Sequence, residues 1–280
     1  MTALLEARNV TKVFHGGLFS RTETVALSNI SIAISDHKPS ITVIAGESGS
    51  GKTTLARLLL GIIPPTSGDV LYKGQSVTNL PKAERRIFRR EIQAIFQDPY
   101  EVYNPFYRID HVLETPVKKF GLAESAEERH NLVEEALEMV GLRPNETLGR
   151  YPHQLSGGQR QRVMVARALL LRPRVIVADE AVSMVDASLR ATILESLLKL
   201  YEDLGISLIY VTHDLTTAYQ LGERIMVLYR GWVAEEGDVE LVIKNPKHPY
   251  TQLLVSSIPL PDPEKPWEKY NESSRAVESS

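Results

Sequence analysis

The chain has 280 residues, of which 43% are hydrophobic and 24% charged, enough apolar material for the core of one large domain or two small ones. A formal net charge of -3 gives no overall pull toward nucleic acid or anionic lipid, and the absence of cysteine excludes disulfides, cysteine-bound zinc and iron–sulfur clusters. No stretch approaches the roughly 20 apolar residues of a membrane span, and Met1-Thr2-Ala3 does not open a signal peptide.

Residues 4–35 open with strand-like alternation, as in Leu4-Leu5-Glu6-Ala7-Arg8-Asn9-Val10, broken by glycines at Gly16-Gly17. The apolar, β-branched run Ile41-Thr42-Val43-Ile44-Ala45 predicts a strand, and Thr54 to Leu60 predicts a helix. Between them Gly46-Glu47-Ser48-Gly49-Ser50-Gly51-Lys52-Thr53 fits G-x-x-x-x-G-K-[ST] at every fixed position, and strand–loop–helix is the context that motif requires. Its glycines let backbone N–H groups wrap phosphates, Lys52 reaches the β- and γ-phosphates, and the Thr53 hydroxyl suits Mg²⁺.

Farther along, Glu84-Arg85-Arg86-Ile87-Phe88-Arg89-Arg90 reads as a solvated helix face and not as a nucleic-acid patch, because Glu84 and Glu91 flank it and aromatics are sparse. Ile92 to Phe96 is strand-like and precedes Gln97. Ser125-Ala126-Glu127-Glu128 has capping-box spacing, Leu132, Val133, Ala136, Leu137 and Val140 share one helical face, and Gly141 can end that helix. Leu155-Ser156-Gly157-Gly158-Gln159, followed by Arg160-Gln161-Arg162, places a serine and two glycines ahead of a helical run. Such a stretch makes a concavity of backbone N–H groups suited to an anion.

Val175-Ile176-Val177-Ala178-Asp179-Glu180 reads as a buried parallel strand ending in two acids, at the strand end where ligands collect in open α/β sheets. Asp179 is then the carboxylate for Mg²⁺, and Glu180 polarises an attacking water. A last β-branched run, Leu208 to Thr212, ends at His213.

The motif at 46–53, Gln97, the 155–159 stretch, Asp179-Glu180, Asp186 and His213 stand in the chain order of the ABC ATPases, and the resemblance covers nearly the whole chain. It implies an α/β fold: a P-loop NTPase, RecA-like core with an antiparallel β subdomain, to which residues 4–35 and 68–74 contribute, and an inserted α-helical subdomain at about 98–160. The implied ATPase domain spans 1–243, with a tail over 244–280.

The resemblance also implies an ATP site at Gly46, Glu47, Ser48, Gly49, Ser50, Gly51, Lys52, Thr53 and Thr54. The adenine stacks on Phe14, with His15 as the neighbouring alternative and a core phenylalanine as the bland one. Glu180, His213 and Gln97 are the implied catalytic residues, and Thr53, Gln97 and Asp179 the implied Mg²⁺ residues. The family pairs two domains head to tail, so Ser156, Gly157, Gly158, Gln159 and Asp186 are expected to act in trans on ATP held by a second copy or a related subunit. Two departures stand out: Ala181 replaces the usual proline after the acid pair, and Ser183-Met184-Val185-Asp186 replaces Ser-Ala-Leu-Asp.

Asn245-Pro246-Lys247-His248-Pro249-Tyr250-Thr251-Gln252-Leu253-Leu254 is similar to the C-terminal segment of the oligopeptide and dipeptide import branch, as is the early insert Gly16 to Phe19. That branch implies two transmembrane permease subunits, an indirect extracytoplasmic solute-binding protein, no nucleic acid, and a place on the cytoplasmic face of the cell membrane. Oligosaccharide and nickel are the alternative cargoes within the branch. A non-transport ABC ATPase of nucleic acid or ribosomes is disfavoured by the single set of motifs and the lack of sustained heptads. The end, Pro261 to Ser280, is rich in Pro, Glu and Ser and reads as loosely ordered.

Overall fold

A computed structural model describes residues 3–15, 23–96, 103–182 and 187–257. In chain order the first elements are β1 (Ala3–His15), β2 (Glu23–Ser35), β3 (Ile41–Ala45), α1 (Lys52–Leu59), β4 (Ser67–Tyr72), β5 (Gln75–Ser76), α2 (Lys82–Glu91) and β6 (Ile92–Ile95). Next come α3 (Ile109–Phe120), α4 (Ala126–Met139), α5 (Pro144–Thr147), α6 (Gly157–Leu169), β7 (Val175–Asp179) and α7 (Ala187–Glu202). The chain closes with β8 (Ser207–Thr212), α8 (Leu215–Leu221), β9 (Arg224–Tyr229), β10 (Trp232–Asp238), α9 (Val239–Lys244) and α10 (Pro249–Ser256). These elements form two compact units, residues 1–74 with 209–280 and residues 75–208, so the chain leaves the first unit and returns to it within β8.

In the first unit β1 pairs antiparallel with both β2 and β4, the pairing expected of the early alternating segments. The β1–β2 pairing brings Phe14 opposite Thr24 and His15 opposite Glu23. Separately, β3 pairs parallel with β9, from Thr42 opposite Arg224 to Ala45 opposite Val227, and β9 turns back into β10. Four of the five β3 residues are buried, as a strand covered on both faces demands. The β9–β10 turn runs through Arg230 and Gly231, both at positive φ, which suits a tight hairpin.

The second unit joins β6 and β7 in parallel, from Ile92 opposite Val175 to Ile95 opposite Ala178. Helices α3 and α4 pack on each other and on α6. Of the α4 face the spacing predicts, Val133, Ala136, Leu137 and Val140 are buried, while Leu132 is half-buried. The helix ends in a Schellman motif: Gly141 at φ 68° donates to Glu138 and Leu142 donates to the Leu137 carbonyl. At its start Ser125 Oγ accepts the Glu128 N–H at 3.0 Å, but the Glu128 carboxylate reaches the Glu124 N–H and not that of Ser125. The box is therefore displaced by one residue. Only Phe88 of α2 is buried, in keeping with a solvated basic helix.

Ser125→Ala removes the one side-chain acceptor at the α4 N-terminus and is expected to cost about 1 kcal/mol, read as a lower urea midpoint with an unchanged denaturant slope.

Candidate functional site

The site in the first unit begins where β3 ends. Gly46 has φ 147°, and a Cβ there would lie 2.3 Å from the Leu228 carbonyl oxygen of β9. Gly51 has φ 106° and would meet the Ala26 carbonyl at 2.6 Å. Both are glycine because backbone passes too close for any side chain, on top of the left-handed φ.

The loop then wraps its own lysine. Lys52 is 4% exposed, and its ammonium donates to the carbonyls of Gly46 at 2.8 Å and Glu47 at 2.9 Å. Helix α1 starts at Lys52, two residues before the start that the sequence predicts, so Thr53 and Thr54 lie in its first turn. Its N-cap, Gly51, offers no side-chain acceptor, and no acidic residue lies in the first turn. The partial positive charge of the N-terminus is thus uncompensated by the helix's own side chains. Among the described residues the buried Ser50 Oγ has no hydrogen-bond partner, an orphan that fits a phosphate oxygen beside the loop.

Three contacts from the C-terminal part of the chain support this loop. Besides Leu228 against Gly46, the Gly231 N–H donates to the Ser50 carbonyl at 3.0 Å, and the Glu47 N–H donates to the Tyr250 hydroxyl at 2.9 Å. In the sequence Tyr250 stands out only as part of the segment that resembles the import branch. A phenol 203 residues away in the chain gives no local signal of contact with the loop.

Phe14 is 43% exposed, which excludes the core reading, and the Lys12 ammonium lies 5.2 Å from its ring centroid. His15 is also exposed and faces Glu23 at 3.3 Å. His213 is exposed at the end of β8, and the next residue, Asp214, caps α8 by accepting the Thr216 N–H at 2.8 Å.

In the second unit Gly157 and Gly158 are the first residues of α6 and not a loop ahead of it. Ser156 is the N-cap: its Oγ accepts the Gln159 N–H at 3.2 Å, while Gln159 Oε1 accepts the Ser156 N–H at 2.9 Å. Gln159 is therefore one half of a capping box, which the S-x-x-Q spacing could have revealed. Gly157 has no positive φ, and a Cβ there would meet nothing within 4 Å. Below it, Arg160 is buried and its guanidinium donates to the Pro152 carbonyl at 3.1 Å, while the Tyr103 hydroxyl donates to the Arg160 carbonyl at 2.8 Å. Burial pushes the Tyr103 phenol well above its ordinary value, against the pull of Arg167 and Arg160.

Every residue of β7 is buried, including Asp179 at 7% exposure. Glu180 follows at φ 48°, a left-handed conformation costing roughly 1–2 kcal/mol in a non-glycine residue. A following proline would restrict the φ/ψ of Glu180, and Ala181 imposes no such restriction. Hydroxyl and carboxylate oxygens such as those of Thr53 and Asp179 are the hard donors that Mg²⁺ takes. Gln97 and Asp186, as well as the insert Gly16 to Phe19 and the end Pro261 to Ser280, lie outside the described residues.

Residues 27–183 match the ABC transporter family, and residues 234–279 match the oligopeptide/dipeptide transporter C-terminal region. A probable peptide ABC transporter ATP-binding protein of Sinorhizobium fredii, y4tS, is 40% identical over 93% of this chain and 74% of its own length. The dipeptide transport ATP-binding protein DppF of Haemophilus influenzae is 41% identical over 92% of this chain and 79% of its own. The glutathione import ATP-binding protein GsiA of Salmonella typhimurium is 40% identical over 94% of this chain, which spans only 42% of that protein. Among solved structures, the dimeric bacterial ABC transporter cassette MJ0796 superposes with a TM-score of 0.73 at 32% identity, covering 84% of this chain and 98% of that one. The same cassette in a post-hydrolysis dimer bound to ADP and Pi gives 0.72.

The chain belongs to the ABC transporter family, as an ATP-binding cassette with the P-loop NTPase fold. Within that family it carries the C-terminal region of the oligopeptide/dipeptide transporters.

Two outcomes follow from the loop and its support. Gly46→Ala forces a Cβ onto the Leu228 carbonyl and is expected to destabilise by more than about 2 kcal/mol, seen as a large drop in the urea midpoint. The second concerns Glu235, whose carboxylate accepts the N–H groups of Lys247 at 3.0 Å and His248 at 3.0 Å. Burial raises this carboxyl, but the backbone N–H groups of His248 and Lys247, together with Thr251 and the charge of His248, leave it below its ordinary value. Its stabilisation is complete above the unfolded carboxyl value and is lost as pH falls through the lower folded value. Glu235→Gln should cost about 1 kcal/mol at neutral pH and flatten the acid limb of thermal stability; an unchanged acid limb would discount this anchor.

Proposed function

We propose that the chain is the ATP-hydrolysing subunit of an importer of oligopeptides or dipeptides. It works as a head-to-tail dimer with a second ATPase subunit beneath two permease subunits, at the cytoplasmic face of the cell membrane. An extracytoplasmic binding protein supplies the solute. The observation that carries the reading is the joint presence, in one chain, of the ABC match over 27–183 and the oligopeptide/dipeptide C-terminal region over 234–279.

In this reading Gly46 to Thr54 hold the ATP phosphates, and the Phe14 or His15 ring receives the adenine. Lys52 turns from the Gly46 and Glu47 carbonyls toward the β- and γ-phosphates. Glu180 takes a proton from the attacking water as its oxygen bonds to the γ-phosphorus and the bond to the β–γ bridging oxygen breaks, releasing ADP and phosphate. His213 and Gln97 orient the γ-phosphate and that water. When bound, Mg²⁺ neutralises charge on the β- and γ-phosphates, with Thr53, Asp179 and Gln97 as the residues that would hold it.

The signature acts across the dimer. Among the described residues nothing lies within 4 Å of a Cβ at Gly157, and its φ does not demand glycine. An anion brought by a second subunit to Ser156, Gly157 and Gly158 supplies the demand. Asp186 serves at the same seam.

Gly157→Ala is expected to leave stability within about 0.5 kcal/mol while lowering ATP turnover more than about tenfold. Turnover equal to the parent's would remove the signature from the site. Glu180→Gln should cut turnover by at least about 100-fold and accumulate an ATP-bound dimer on size-exclusion chromatography; normal hydrolysis would remove Glu180 from the mechanism.

A further inference from the structure

We infer that Tyr250 is a positioning residue of the nucleotide site, so that the C-terminal segment takes part in ATP binding by fixing the loop that receives the phosphates. This rests on the P-loop being the ATP site.

Glu47 is held at both of its backbone groups. Its carbonyl accepts the Lys52 ammonium at 2.9 Å and the Ser50 N–H at 3.2 Å, and its N–H donates to the Tyr250 hydroxyl at 2.9 Å. Lys52 also binds the Gly46 carbonyl, which shares one peptide plane with the Glu47 N–H that the phenol accepts. Rotation of that plane moves a lysine acceptor.

The phenol itself is anchored from three sides. Tyr250 is 9% exposed, and its ring packs on Tyr229 with centroids 4.2 Å apart and planes at 31°. Its backbone N–H donates to His248 Nδ1 at 3.1 Å, which caps α10. The turn before it is tied to β10 through the Glu235 carboxylate. Tyr229 leads into the Arg230–Gly231 turn whose Gly231 N–H holds Ser50. One hairpin and one helix start thus grip the loop at Gly46, Glu47 and Ser50. Any change in the loop on nucleotide binding is felt at α10, and the coupling is reciprocal.

The test uses the full chain with Mg²⁺ and a fluorescent methylanthraniloyl-ATP as the probe. Tyr250→Phe keeps the ring on Tyr229 and removes the oxygen. The expected result is a Kd and an ATP KM raised about 3- to 10-fold, with kcat at saturating ATP unchanged and the melting temperature lowered by no more than about 4 °C. Hydrogen exchange over 249–256 should slow on ATP binding in the parent and not in Tyr250→Phe. Parent-like affinity and KM in the variant overturn the inference, as does a weaker affinity matched by a larger fall in melting temperature without the split between KM and kcat. Lys52→Ala separates the two layers. If it binds ATP like the parent, the P-loop assignment falls and takes this inference with it. If it loses ATP while Tyr250→Phe does not, only the role of Tyr250 falls.

Discussion

The contact of Gly46 with the Leu228 carbonyl is the constraint on which the first unit depends. Only a hydrogen fits where any other residue has its Cβ, 2.3 Å from that oxygen. The close approach sets the exit of the loop from β3, the loop in turn encloses Lys52, and α1 begins at that lysine with its N-terminus uncapped. Glycine is entropically expensive to order, and the loop offsets the cost with bonds to its own lysine, to Gly231 and to Tyr250. A helix N-terminus that its own side chains leave uncompensated is suited to an anion.

The two glycine-bearing helix starts answer different demands. At α1 the glycines are required by the chain itself, through positive φ and backbone crowding. At α6 Ser156 and Gln159 already satisfy the first turn with a capping box, and Gly157 stands in open space. The first kind of glycine is a folding requirement and the second is not.

Much of the fold was legible because the signals are local. The buried run of β3, the fixed spacing of residues 46–53 and the α4 stripe with Gly141 behind it each declare an element within a dozen residues. The acid pair was legible as residue types, but not the left-handed φ of Glu180, which depends on what the unit packs around it. The α4 cap slid by one residue because Glu128 can reach either of two neighbouring N–H groups. The start of α1 at Lys52 was missed because glycine and lysine carry little helical signal where the helix begins. Tyr250 was out of reach: its bond to Glu47 spans 203 positions, and no periodicity reports a contact of that range.

The account's central claim is that one copy of this chain cannot complete its own site. It is tested most directly by mixing two impaired variants, Lys52→Ala and Gly157→Ala, and measuring ATP turnover. A mixed dimer joins the intact P-loop of one variant to the intact signature of the other. Random pairing makes half of the dimers mixed, each with one sound site, so turnover should recover to roughly a quarter of the parent's. Turnover no greater than the sum of the separate variants would contradict the account.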